Sequence, residues 1–418
     1  MSYIQKNKRY SLVAILLFGC VLMQFLLSIT TSYMDSGFYN RISVLIAVVA
    51  VGLYVLMTRK ISISLRMFAI ILVVILLLIY NYSISVLATQ KLLLWVGAFL
   101  TGYIYSKKDF DYSHTRIIQG LMFIMMVTCI YGIFEFVAGN VLDAYAVRVY
   151  ANIYRIHSVY LHPIIFSEIM LILYAFNATT SKKGIKKSII SIMAILCIAL
   201  TLSRFSWIIL LGLVFLQFIK NKVLSGHLNI KHTFTRKRVI KILAIGSLLI
   251  VMFIKLDIIS LFARLTERWN SLEGSMSISY RTSTILALLS QRLHDSNIFH
   301  WIIGTGFQSA QAAVGNAGIY FGTVGNNVVD NQILCVFYDF GLVGIISICF
   351  FLVSAVKTYL FSNNNGAQAI SLAIVVAIGM GFTCDTFQWA TTGSLTFILM
   401  GIMLVVLKNE KRYKRIEK

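Results

Sequence analysis

Proline is almost absent from this chain, with one residue, Pro163, in 418. That excludes proline-rich linkers and polyproline segments. It also removes the paired glycine and proline interruptions that mark the broken helices of many transporters. Acidic side chains are scarce as well: 15 Asp and Glu stand against 37 Lys and Arg, and charged residues make up 12% in all. Average globular usage is about 25%, so a soluble globule is excluded. The six cysteines (Cys20, Cys129, Cys197, Cys335, Cys349 and Cys384) all lie in apolar runs without metal-ligand spacing. They read as small hydrophobes in helices, with no disulfide framework implied.

What the chain has in quantity is apolar sequence, 59% of the residues. Runs of roughly 20 apolar residues cross a hydrocarbon core. Twelve segments read this way: 10–30, 42–57, 66–81, 85–105, 117–138, 161–178, 188–202, 205–220, 239–256, 331–356, 367–386 and 391–407. The expected fold class is all-α, a polytopic membrane protein of twelve transmembrane helices. Residues 1–418 form one integral membrane domain, with a large extracytoplasmic loop at 257–330 that holds short amphipathic helices. The opening Lys-Asn-Lys-Arg before 20 apolar residues looks like a secretory signal. The apolar run is too long for one and no small-residue cleavage site follows, so a retained first span is expected.

The net charge of +22 tests the topology. With the N-terminus inside, 27 of the 37 cations fall on the cytoplasmic side and 10 outside or at the outer boundary. This register satisfies the positive-inside rule. It places both termini and the 221–238 loop in the cytoplasm. The basic balance then reflects orientation and anionic membrane lipid, and nucleic acid is not an expected partner.

The loop at 257–330 runs against that rule, because it carries Arg264, Arg268, Arg281 and Arg292 on the outer side. Ile258, Leu261, Phe262, Leu265, Trp269 and Leu272 recur at helical spacing, as in an amphipathic interfacial helix. A second helix is expected over 278–294. It would put Arg281 and Arg292 on one face, about 16 Å apart. A glycine-rich stretch follows.

With Arg148, Arg155 and Arg204, these arginines form an outer set suited to phosphate, whose oxygens a guanidinium fork meets two at a time. The bland alternative is loop arginines balanced by Glu267, Glu273 or Asp295. Arg204 lies in the polar turn Thr201–Trp207 between two spans. An ionisable group at membrane depth is a functional candidate, and an arginine snorkelling to the head groups is the alternative.

Asp330-Asn331 opens a span, with Gly341 and Gly344 beyond it. A carboxylate there can act as a general base, and it can equally cap the helix. Gly304-Thr305-Gly306 begins like a dinucleotide motif, but Ser309 holds the sixth position and no strand–helix unit follows, so nucleotide binding is rejected. His157, His162, His294 and His300 fall on the outer side without metal-like spacing, and no metal or other cofactor is expected. Glu135, Glu168, Asp339 and Asp385 fall in or near spans and read as interior hydrogen-bonding groups.

Three local patterns resemble the O-antigen ligase/polymerase superfamily, and within it the Wzy-type polysaccharide polymerases. They are Arg155, His157, His162 and Pro163 at the opening of a middle span; the Thr201, Ser203, Arg204 turn; and Arg281, Gly304, Gly306, Asn331, Gly341 and Gly344 through the large loop. Ligases carry histidine where this chain has Asp330, which favours the polymerase.

The resemblance implies a glycosyltransferase at the outer face of a bacterial cytoplasmic membrane, joining oligosaccharide units borne on undecaprenyl diphosphate. It needs neither metal nor nucleotide. Chain-length regulator and flippase proteins are its expected partners. The implied catalytic residues are Arg204, Arg281 and Asp330. Arg155, Arg264, Arg268, Arg292, His162 and Asn331 are the implied substrate-binding set. The readings that compete with it are a ligase-like transferase, a flippase or transporter of lipid-linked sugars, and a non-enzymatic assembly partner.

Overall fold

The computed structural model describes residues 2–30, 36–58, 86–108, 110–139, 149–150, 153–180, 184–224, 276–319 and 329–416. The expected spans 66–81 and 239–256, the helix at 258–272, Arg148, Arg264 and Arg268 lie outside these residues. The helices are α1 (Ser2–Thr30), α2 (Ser36–Thr58), α3 (Val86–Lys108), α4 (Phe110–Ala138), α5 (Pro163–Thr180), α6 (Ile185–Leu200) and α7 (Arg204–Phe218). They continue with α8 (Met276–Leu293), α9 (Ile298–Ile303), α10 (Ser309–Asn316), α11 (Gln332–Phe361), α12 (Asn365–Met380) and α13 (Ala390–Ile416). The only strand pairing among the described residues is a two-residue ladder, Val149 opposite Tyr154 and Tyr150 opposite Ile153.

Among the described residues six helices are long and apolar enough to cross a membrane: α2, α4, α5, α7, α11 and α13. Two shorter apolar stretches, Ile15–Thr30 and α12, accompany them. This is an all-helical membrane protein. α5 and α12 are buried along most of their length, and α13 lines the same centre. α4 and α7 turn Phe123, Ile130, Phe134, Ile208, Leu211 and Phe215 outward. Large apolar side chains on the outside of a bundle are what a hydrocarbon solvent favours.

Without a hydrophobic force between helices in lipid, close packing has to hold them together, and small residues permit it. The crossing of α3 and α13 shows this. A Cβ on Gly102 would strike the backbone of Ile398, and one on Gly401 would strike that of Phe99. Gly401→Leu should therefore push the two helices apart at a cost of roughly 3 kcal/mol or more. A lower melting temperature in detergent would register it; an unchanged one would mean that the helices can separate freely.

α12 ends at Met380, earlier than the span expected over 367–386. Gly381 closes the helix, and residues 381–389 form a separate turn with a short 3₁₀ segment at Thr386–Gln388. The Gln332 N–H donates to Gly381 O at 2.7 Å, and Gln332 Oε1 accepts the Phe387 N–H at 3.0 Å. The first turn of α11 is thereby latched to the 381–389 turn. Beneath the latch, Trp95 donates to Phe387 O and packs among Phe307, Phe340, Phe387 and Phe397.

Candidate functional site

The latch decides where the functional side chains meet. Asn331 caps α11 by accepting the Leu334 N–H at 2.9 Å, so its side-chain oxygen is committed to the helix end. Asp330, just before it, is free to project sideways. The 381–389 turn, held against it by Gln332, brings Asp385 and Cys384 alongside. Ligand-type atoms of Asp330, Cys384 and Asp385 all lie within 4.8 Å of one another.

Arg281, on the first half of α8, donates through Nε to Asp330 Oδ2 at 3.0 Å. Arg204 opens α7 and lies within electrostatic reach of Arg281. Like charges within electrostatic reach of one another favour an anion nearby, and a single ion-paired aspartate covers only part of that demand. Among the described residues, Arg204 Nη1 is buried without a hydrogen-bond partner, as is the Thr284 hydroxyl. Thr284 lines a small cleft with Arg281, Ile285, Val329, Asp330, Asn331, Phe382 and Thr383. Unpartnered buried donors beside a cleft mark a place where a ligand's acceptors would be welcome.

Asp385 stands behind Asp330. Burial, reinforced by the Asp330 charge beside it, pushes its carboxyl up to about 6, although a hydrogen bond from the Trp389 side chain opposes the shift. Lys91, near the start of α3, is a third cation within electrostatic reach of Asp385. The Trp389 ring also faces His162, with centroids 5.5 Å apart. His162 Nδ1 accepts the Ile164 N–H at 3.2 Å, which leaves Nε2 to carry the proton in the neutral ring.

Three residues in the left-handed backbone region, Ser158, Leu161 and Leu202, flank these groups. Strain of this kind persists only where surrounding structure fixes it. Arg155 supplies part of that structure: its Nε donates to Thr201 O at 2.8 Å and pins the turn ahead of Arg204. Glu135 supplies more, accepting the His157 and Ser158 N–H groups. Arg155 thus braces the site from beneath.

Arg292 lies apart from this cluster. It is buried, with Nη1 donating to Asp295, Nη2 donating to Tyr338 O at 2.6 Å, and the guanidinium over the Tyr338 ring. Those contacts hold the 292–305 segment to α11, while Arg292 Nε is buried without a hydrogen-bond partner among the described residues. The structure brings Arg281 and Asp330 together with Arg204 in electrostatic reach, joins His162 to them only through Trp389 and Asp385, ties Arg155 to the turn ahead of Arg204, and uses Asn331 as a cap.

Sequence reading alone passed over Lys91 and Trp389, and it took Cys384 and Asp385 for interior residues. The available signals were a lysine near the start of a span, and an acidic residue close to Gly379 and Gly381, where α12 stops. The Asp330, Cys384 and Asp385 group makes a poor divalent-metal site. Burial keeps the Cys384 thiol protonated, Asp330 already holds a guanidinium, and Arg204, Arg281 and Lys91 supply positive charge. Neither the known family models nor the curated proteins match this chain.

Proposed function

We propose that this protein is a polymerase that joins oligosaccharide units carried on undecaprenyl diphosphate into a surface polysaccharide at the outer face of the bacterial cytoplasmic membrane. The observation that carries this reading is a cleft lined by Arg281 and Asp330, with Arg204 within electrostatic reach of Arg281 and a second carboxylate, Asp385, beside Asp330. A lipid diphosphate supplies the anion the cations lack, and a sugar hydroxyl supplies the proton the carboxylates can take.

In this mechanism the terminal hydroxyl of the acceptor attacks the anomeric carbon of the donor glycan. The new C–O bond forms as the bond from that carbon to the diphosphate oxygen breaks, and undecaprenyl diphosphate leaves with the bonding pair. Arg204 and Arg281 meet the growing negative charge; donors already in place stabilise it without reorganising. Asp330, at the cleft, takes the hydroxyl proton. Asp385 supports it, because a proton shared between close carboxylates relieves their repulsion. His162 and Trp389 offer a ring surface for sugar, and Arg155 fixes the turn that carries Arg204.

The twelve-span topology with both termini cytoplasmic belongs to this proposal. The cations near the opposite helix ends support it: Lys107, Lys186, Lys187, Lys220 and Lys408 lie at the ends far from the site. A cysteine-reactive probe applied outside intact cells should label Ser309→Cys and miss Ser225→Cys; the reverse pattern would invert the orientation. For the activity itself, deletion of the gene should leave surface polysaccharide of single-repeat length on a gel. Unchanged long chains would reject the polymerase reading, and loss of all repeat units from the surface would favour transport.

A further inference from the structure

α8 and α9 expose apolar surface that a water-facing loop would hide. Leu289 and Leu293 stand out from the last turns of α8, and Ile298, Phe299, Ile302 and Ile303 stand out from α9. Phe299 is 65% exposed and Leu293 is 71% exposed. The opposite side of α9 is polar and internally satisfied: His300 Nδ1 meets Asp295 at 2.7 Å, and Asn297 caps the helix by accepting the Phe299 N–H. Trp301 packs on Phe337 of α11. The segment is therefore held firmly with its apolar side turned outward.

Its height in the bundle follows from α11. That helix breaks at Gly341, which has a left-handed backbone and sits against the backbone of Trp301 and Ile302. The 20 residues from 342 to 361 rise about 30 Å as a helix, enough to cross the hydrocarbon core alone. The first turns of α11, beside which α9 packs, then stand at the level of the head groups. Immediately past the break, Leu342, Val343 and Ile346 are exposed on the span. The Gly341 contact with Trp301 and Ile302 sets α9 beside these exposed residues, and exposed apolar surface of this size marks an interaction surface.

We propose that this face of α8 and α9 is immersed in the leaflet adjoining this end of the bundle, with acyl chains as its occupant. The segment is an interfacial anchor that fixes the height of the loop against the bilayer. It carries Arg281 on the same helix, α8, so the anchor also sets the candidate site at the lipid surface.

The test uses the full-length protein in nanodiscs, with Cys349→Ser to remove an exposed thiol. An environment-sensitive dye is placed singly at Leu293→Cys, Phe299→Cys and Ile303→Cys, with Ser296→Cys on the polar side as control. Lipid brominated along the acyl chain should quench the first three at least twofold more than the control, and iodide in the buffer should quench mainly the control. Quenching of all four by iodide would mean that the face looks to water. Protection of the three from both quenchers would mean that protein covers it. Either result overturns the proposal, and neither depends on the polymerase reading.

Discussion

Replacing Arg281 with alanine should stop chain elongation in cells that hold normal amounts of the protein. Loss of one preorganised donor to a developing oxyanion costs roughly 10²–10³-fold in rate. Arg281 also lies within electrostatic reach of Arg204, so its removal lowers the positive field of the site as well as removing one contact. Folding should hardly notice. The Arg281–Asp330 pair is about a third exposed on one side and a quarter on the other, and such pairs contribute about 1 kcal/mol or less. Arg204→Ala should have the same effect on product, with a moderate effect on stability because Arg204 is only partly exposed. Lysine at either position should rescue poorly, since a point charge cannot hold a diphosphate through two parallel hydrogen bonds. A polysaccharide gel alongside an immunoblot reads both arms. Full-length chains from either alanine variant would remove that arginine from the clamp.

The second large effect is expected at the carboxylates. Asp330→Asn should lower the rate about 10²–10⁴-fold, the usual worth of a positioned general base. Asp385→Asn should be milder and should also change the pH profile. Asp385 titrates at about 6, and the pair can accept the acceptor's proton only while Asp385 is ionised. The wild-type rate is therefore flat above pH 6 and falls as pH drops through that value. With asparagine at 385 this acid limb should move or vanish. An unchanged limb in Asp385→Asn, with an undiminished rate, would show that Asp385 has only a packing role.

The membrane class was legible in the apolar runs, and α8 was legible from the spacing of Ile278, Ile285, Leu289 and Leu293. Arg204, Arg281 and Asp330 stood out because each is a polar group in a place that burial or topology makes costly. Their partners were harder to see. Asp385 falls inside an apolar run on any hydropathy window, and only the stop of α12 at Met380 turns it from a helix residue into a turn residue. Lys91 and Trp389 join the site from helices distant in the chain, and no spacing rule connects them. Arg292 shows the opposite case. The helical spacing puts it on one face with Arg281, yet the carbonyl and ring of Tyr338, 46 positions away, hold it. Periodicity gave the face of α8 but could not say which of its arginines would meet a cleft and which a neighbouring helix.

The most direct measurement is reconstitution. The purified protein would be placed in liposomes with the lipid-linked single repeat units that accumulate in the deletion strain, without metal or nucleotide, and the products separated by size. A ladder of longer lipid-linked glycans, released undecaprenyl diphosphate in step with it, and no ladder with Arg281→Ala is the result this account predicts. Movement of single repeat units between leaflets with no ladder would contradict it.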